Sequence, residues 1–283
     1  MKFIVGLVMV FGCVIVGYTM VGGKLIVLWH INEIIIIFGV ATGAFLISTP
    51  GHVAKDTIKG WIGLLKGSAY PKQRYMNLLG MLYGLFQKAR KDGLMGIESD
   101  IEEPHESEIF KKYPDVLADH HAMDFICDYM RLVVGGNMNP FELDNLMSQE
   151  IDKHHHEVEA PSEATNRIAD GMPALGIVAA VLGIVITMGY LNEGPDVIGG
   201  KVASALVGTF MGILFAYGVF GPMSSMMAAK ANESTEFFHV IKAAILANVQ
   251  GYTPQIAVEF GRKVMPGHIR PGFSELEEFI RNA

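Results

Sequence analysis

The stretch 169–192, "ADGMPALGIVAAVLGIVITMGYLN", has no Asp, Glu, Lys, Arg or His between Met172 and Leu191. A helix needs about 20 apolar residues to cross the hydrocarbon core of a bilayer. The stretch therefore reads as a membrane span, with Pro173 just inside its start, and that reading decides the fold. It also raises a chemical question. Ionisable groups inside a bilayer mark ion paths and proton relays, and this run has none.

Three more runs share its character: Phe3 to Gly23, Ile34 to Thr49 with "LIVLWHIN" as an upstream extension, and Val202 to Met227. The chain of 283 residues is 51% hydrophobic and only 18% charged. Soluble domains carry more charge, about 25%, so an integral membrane protein with soluble parts is expected. The first run is read as a span rather than a signal peptide. Lys2 and "VFGC" loosely fit a lipoprotein signal, but the apolar run continues past Cys13 and Phe11 is a poor residue before a cleavage point. A net charge of -7 argues against nucleic acid as a partner. Cys13 and Cys127 lie too far apart in sequence and context to form a disulfide framework.

Lysine and arginine give the orientation. Segments 24–33 and 192–201 hold one each, Lys24 and Lys201, whereas Lys55, Lys59, Arg167 and Lys230 flank the other ends of the runs. The positive-inside rule then places both termini and the large central segment in the cytoplasm. The expectation is an all-α membrane protein of four transmembrane helices, with a large helical cytoplasmic domain between the second and third. Its parts are spans at 1–23, 28–49, 171–192 and 202–227, a cytoplasmic domain at 50–170 and a cytoplasmic tail at 228–283.

Within the central segment, "YMNLLGMLYGLFQKARKDG" has apolar residues at Met76, Leu79, Tyr83 and Phe86 and a stop at Gly93. "PDVLADHHAMDFICDYMRLVVGG" reads as one helix from Pro114. Asn139 and Pro140 read as the cap and first position of a helix that runs, with Pro161 as a possible interruption, into the third span. Ser274 and Glu277 read as a capping box.

The tract "KHHHEVE" invites a metal reading. His154, His155 and His156 are consecutive, so on a helix they diverge by about 100° each and cannot meet at one ion. A solvated helix face is expected, no cofactor is implied, and no catalytic motif indicates an enzyme. Small residues recur at helix-packing spacing: Gly39 and Gly43, Gly176 and Ala180, Ala179 and Gly183, Gly208 and Gly212. They serve packing within one chain and, with four such faces, between subunits. Pro173, in a first turn, should cost little, whereas Pro222 should free a carbonyl and kink its helix. Glu33 sits at a span edge, and beyond it the spans offer only hydroxyls: Thr42, Thr187, Tyr190, Ser204, Thr209 and Tyr217. A self-sufficient proton pump is therefore not expected; a second protein brings the acid, or the chain is a scaffold.

This layout resembles the MotA family, the stator subunits of bacterial flagellar motors. "PGHVAKDTIKG" follows the second span as in the family, "ARKDGLMGIESDIEEP" (89–104) is similar to its A-R-x-x-G-L-L-x-L-E-x-x-I-E-x-P segment, and "DGMPALGIVAAVLGIV" and "LVGTFMGILFAYGVFGP" match its pore-proximal helices. The resemblance covers essentially the whole chain. It implies a homo-oligomeric ring, a pentamer, around the single spans of a MotB-like partner. That partner brings the intramembrane Asp and a peptidoglycan anchor, and the ring turns the rotor protein FliG. It implies that Arg90 and Glu98 meet rotor charges and that Pro173 and Pro222 transmit the ion event. Ala180 stands where sodium-type stators carry a Thr, while Thr209 is common to both types, so proton coupling is expected. Two alternatives remain: an ExbB- or TolQ-type energiser, which has three spans in a different order, and a scaffold without ion coupling.

Overall fold

The computed structural model describes residues 2–136 and 139–282. Every regular element among them is helical. The chain divides into two compact units, one of residues 1–67 and 158–229 and the other of residues 68–157 and 230–283. Among the described residues, four helical segments are long and apolar enough to cross a membrane: Lys2–Met20, Leu25–Ser48, Pro140–Met188 and Pro195–Val249.

In the first unit, α1 (Lys2–Met20) buries no residue against the rest of the chain. Its Phe11 ring lies 5.7 Å from Phe215. The upstream extension of the second span is not continuous with it. Leu25–Leu28 form a short 3-10 turn, and His30 is extended (φ -123, ψ 104) before α2 (Ile31–Ser48) begins. On α2 the residues Glu33, Ile37, Ala41 and Phe45 are buried, a stripe at i, i+4 spacing. A short helix follows, α3 (Gly51–Gly63), whose Trp61 donates from Nε1 to Thr165 Oγ1 at 2.9 Å.

The second unit has a conventional soluble core. On α4 (Lys72–Asp92) Leu78, Leu79, Leu82, Leu85 and Phe86 are fully buried, and Gly93 ends the helix at φ 79 as expected. The next elements are α5 (Glu98–Glu102), α6 (Pro114–Leu117) and α7 (His120–Val134). The single helix expected from Pro114 is thus split in two. Asp119 causes the break: its carboxylate accepts from Ala122 N at 3.2 Å and so caps a new helix.

Asn139 caps α8 (Pro140–Met188) by accepting from Phe141 N at 2.9 Å, as its sequence indicated. This helix carries both Pro161 and Pro173 inside it without a break. Pro173 is therefore not in a first turn. It removes an interior hydrogen bond, and the carbonyl of Ala169 loses its usual helical donor.

The fourth apolar segment opens as α9 (Pro195–Phe215), earlier than Val202, because Gly194, Pro195 and Asp196 form a good helix start. It passes through a π-helical stretch, Ala216–Phe220, into α10 (Gly221–Val249). Pro222 lies two residues beyond the end of that stretch, after Gly221. The widened turn breaks the regular helical hydrogen-bond pattern next to the proline, where a freed carbonyl was expected.

The tail adds Phe237, Val240, Ile241 and Ala244 to the core of the second unit. It continues as α11 (Pro254–Val264), capped by Thr253, and α12 (Phe273–Asn282). The capping box expected at Ser274 and Glu277 does not form. The cap lies two residues earlier, at Gly272, whose N donates to Glu275 at 3.2 Å, and Glu277 accepts from Gln255 instead.

Candidate functional site

The wall formed by α8 and α9 holds Pro173, Ala180 and Thr209. It is built on small residues. A methyl group placed on Gly212 would lie 2.6 Å from the Met172 carbonyl oxygen and 2.9 Å from the Gly176 Cα. One placed on Gly183 would lie 2.8 Å from the Ala205 Cβ. Only glycine permits this approach, and in lipid such packing replaces the hydrophobic drive. Gly176, Ala179, Ala180, Gly183, Gly208 and Gly212 thus pack within one chain. By contrast, a methyl on Gly39 or Gly43 of α2 would meet nothing within 4 Å.

Ala180 is buried, its backbone N close to Gly208. Thr209 is half-buried, beside Gly176, and its hydroxyl makes no hydrogen bond among the described residues. Pro173 is half-buried and Pro222 exposed. Two other hydroxyls are taken up locally: Thr42 donates to Phe38 O at 2.7 Å and Thr187 to Gly183 O at 2.8 Å. Thr209 is therefore an available oxygen on this wall.

Glu33 is the residue that sequence reasoning undervalued. It is only 7% exposed. Its Oε1 accepts from Ser204 Oγ at 2.9 Å, and Ser204 Oγ lies 3.0 Å from His30 Nδ1. Nothing in the sequence signalled it beyond an acid next to an apolar run, because α2 is apolar on every face and no stripe stands out.

In the second unit, Arg90 lies in the last turn of α4 and Glu98 opens α5. Both are exposed and neither forms an ion pair among the described residues. Their neighbours behave differently. Lys88 Nζ lies 2.6 Å from Asp100, which is buried and also accepts from Ser107 at 2.7 Å. Lys88 and Asp100 hold the fold, leaving Arg90 and Glu98 outward-facing.

The histidine tract corrects another expectation. His156 is exposed, but His154 is half-buried, packs on Phe238 at 4.4 Å and contacts Ser234 Oγ at 3.0 Å. His155 contacts Thr235 Oγ1. Burial, with His121 adding to it, holds the His154 pKa below the ordinary histidine value. The three rings diverge, as consecutive helical positions must.

Residues 4–93 match the family model for the motility protein A N-terminal region, and residues 118–239 match that of the MotA/TolQ/ExbB proton channel family. Motility protein A of Salmonella typhimurium is 44% identical over 99% of this chain and 95% of its own length. The chain belongs to the motility protein A family. The Escherichia coli motility protein A is 43% identical over the same shares, and the chemotaxis protein LafT of Vibrio parahaemolyticus is 37% identical over 99% of this chain and 98% of its own. The structure of C. jejuni MotAB shares the fold, with a TM-score of 0.76 at 22% identity over 94% of this chain and 96% of that one. As a member of this family it is a multi-pass membrane component of the proton-channel type, and not an enzyme.

Proposed function

We propose that this protein is a stator subunit of a bacterial flagellar motor. With a MotB-like single-span partner it forms a proton-conducting complex that turns proton motive force into torque. One observation carries the reading: identity of 44% along essentially the whole length of a motility protein A. The parts of α8 and α9 that form the wall, 172–188 and 202–215, carry no charged residue, which agrees with an ion-binding acid supplied there by another chain. The partner supplies an intramembrane Asp and a peptidoglycan anchor, and five copies of this chain surround it. The helical domain and both termini lie in the cytoplasm, where Arg90 and Glu98 meet charges on the rotor protein FliG. Exposed pairs of this kind are worth at most about 1 kcal/mol each, which suits repeated attachment and release. Pro173 and Pro222 transmit the ion event from the wall. The match of residues 4–93 to the motility-specific model favours this over an ExbB- or TolQ-type role.

The ion is the proton. Sodium needs several hard oxygen ligands, and Ala180 offers none where a hydroxyl would help. In cells whose only stator is this chain with its partner, swimming should persist when sodium is removed at constant proton motive force. Arrest on sodium removal overturns the ion assignment, and failure to swim at all overturns the stator reading.

A further inference from the structure

From the geometry we infer that His30, Ser204 and Glu33 form a proton relay at the end of the first unit that carries the 21–30 and 189–194 connections. This rests on the proton-conducting reading above. Glu33 is buried and its Oε2 has no hydrogen-bond partner among the described residues. The outer two members of the chain of contacts are ionisable, and a hydroxyl bridges them.

The donor order follows from the number of protons. Ser204 has one hydroxyl proton, and it points to Glu33 Oε1 at 2.9 Å. The contact with His30 therefore requires the imidazole to donate from Nδ1. His30 and Ser204 are both half-buried and Glu33 is buried, and His30 lies outside α2 in the 21–30 connection, so the proton enters the relay at His30. Transfer moves the Nδ1 proton of the imidazolium to Ser204 Oγ while the serine proton passes to Glu33. An imidazolium and a carboxylate become a neutral imidazole and a carboxylic acid, and serine is regenerated. The hydrogen bonds then run in the opposite sense. Rotation of the carboxyl group about its Cγ–Cδ bond carries the proton to the buried side, where Oε2 stands unpaired.

Other charged residues at this end are Lys24, Glu193, Asp196 and Lys201, and none of them is hydrogen-bonded to His30, Ser204 or Glu33 among the described residues. Lys24 precedes the 3-10 turn at Leu25–Leu28. Asp196 lies in the first turn of α9, and Lys201 covers the Tyr190 ring at 4.7 Å. Intramembrane acids and histidines in such a chain are the usual parts of a proton path.

A relay controls the rate of proton supply, whereas stall torque depends on the driving force and the coupling. Motor speed at low load and torque at stall therefore separate the two roles. The test uses cells carrying only this stator, with assembly checked by co-purification of the partner. Glu33→Gln and Ser204→Ala should lower low-load speed by roughly tenfold or more and leave stall torque near the wild-type value. Ser204→Thr, which keeps the hydroxyl, should restore the speed. Wild-type speed in Glu33→Gln and Ser204→Ala overturns the relay. So does a proportional loss of speed and torque, which would mean a structural role. If the unaltered protein drives no rotation, the stator reading itself fails and takes the relay with it.

Discussion

Lys88 and Arg90 are two residues apart, yet they belong to different kinds of chemistry. Lys88 holds the buried Asp100 at 2.6 Å, so Lys88→Ala leaves a buried carboxylate dependent on Ser107 alone. A loss of about 1.5–3 kcal/mol is expected, read as a lower thermal midpoint of the detergent-solubilised complex. Arg90→Glu, at an exposed site without an ion pair, should move that midpoint little, by within about 0.5 kcal/mol, and should lower torque. Equal destabilisation by both substitutions contradicts this division. Composition alone could not separate these positions, because Lys88, Arg90, Glu98 and Asp100 look alike until burial is known. Only the family resemblance singled out Arg90 and Glu98. Glu33 was legible only as a residue at a span edge: α2 is apolar on every face, so no stripe marked its burial, and its bond to Ser204 lies far away in sequence.

Helix existence was legible from apolar periodicity, and the places where it failed have local causes. Asp119 offers its carboxylate to the backbone and divides one expected helix into α6 and α7. Pro173 sits deep in α8 because Asn139 starts the helix and nothing later stops it. The π stretch before Pro222 has no sequence signature beyond the proline itself. Small-residue spacing was informative about contact but not about the partner, and the structure separates the faces. Gly212→Ala forces a methyl against the backbone of α8 and should cost about 1–3 kcal/mol, with loss of folded protein in the membrane fraction. Gly39→Leu meets nothing within the chain. If five copies pack through that open face, it should lower the subunit count by native mass spectrometry while leaving the monomer folded. An unchanged ring mass would assign the face to lipid.

For the molecule as a whole, the second unit should be sensitive to acid. His154 and His239 are both held below the ordinary histidine value, first by burial, then by His121 and Lys242 respectively. The unfolded chain therefore binds these protons more tightly than the folded one. The stability they contribute is present above the unfolded value, about pH 6.5, and is lost as pH falls through it toward the folded values. Hydrogen-exchange protection across 68–157 and 230–283, measured relative to the intrinsic rate at each pH, should fall as pH drops below about 6.5. His154→Gln combined with His239→Gln should flatten that dependence, and an unchanged slope would place the acid sensitivity elsewhere.

The second unit is made from two separate lengths of chain, with the membrane part of α8, α9 and the start of α10 translated between them. Leu79, Leu82 and Phe86 share one core with Phe237, Ile241 and Ala244. During synthesis the first length leaves the ribosome without these partners. At roughly 5–20 residues per second it waits on the order of ten seconds for them. Through that interval its apolar faces are open to chaperones, to proteases and to sibling chains. The nascent protein's quality control therefore hinges on its last residues: a message truncated before Phe237 yields membrane helices attached to a domain that cannot close.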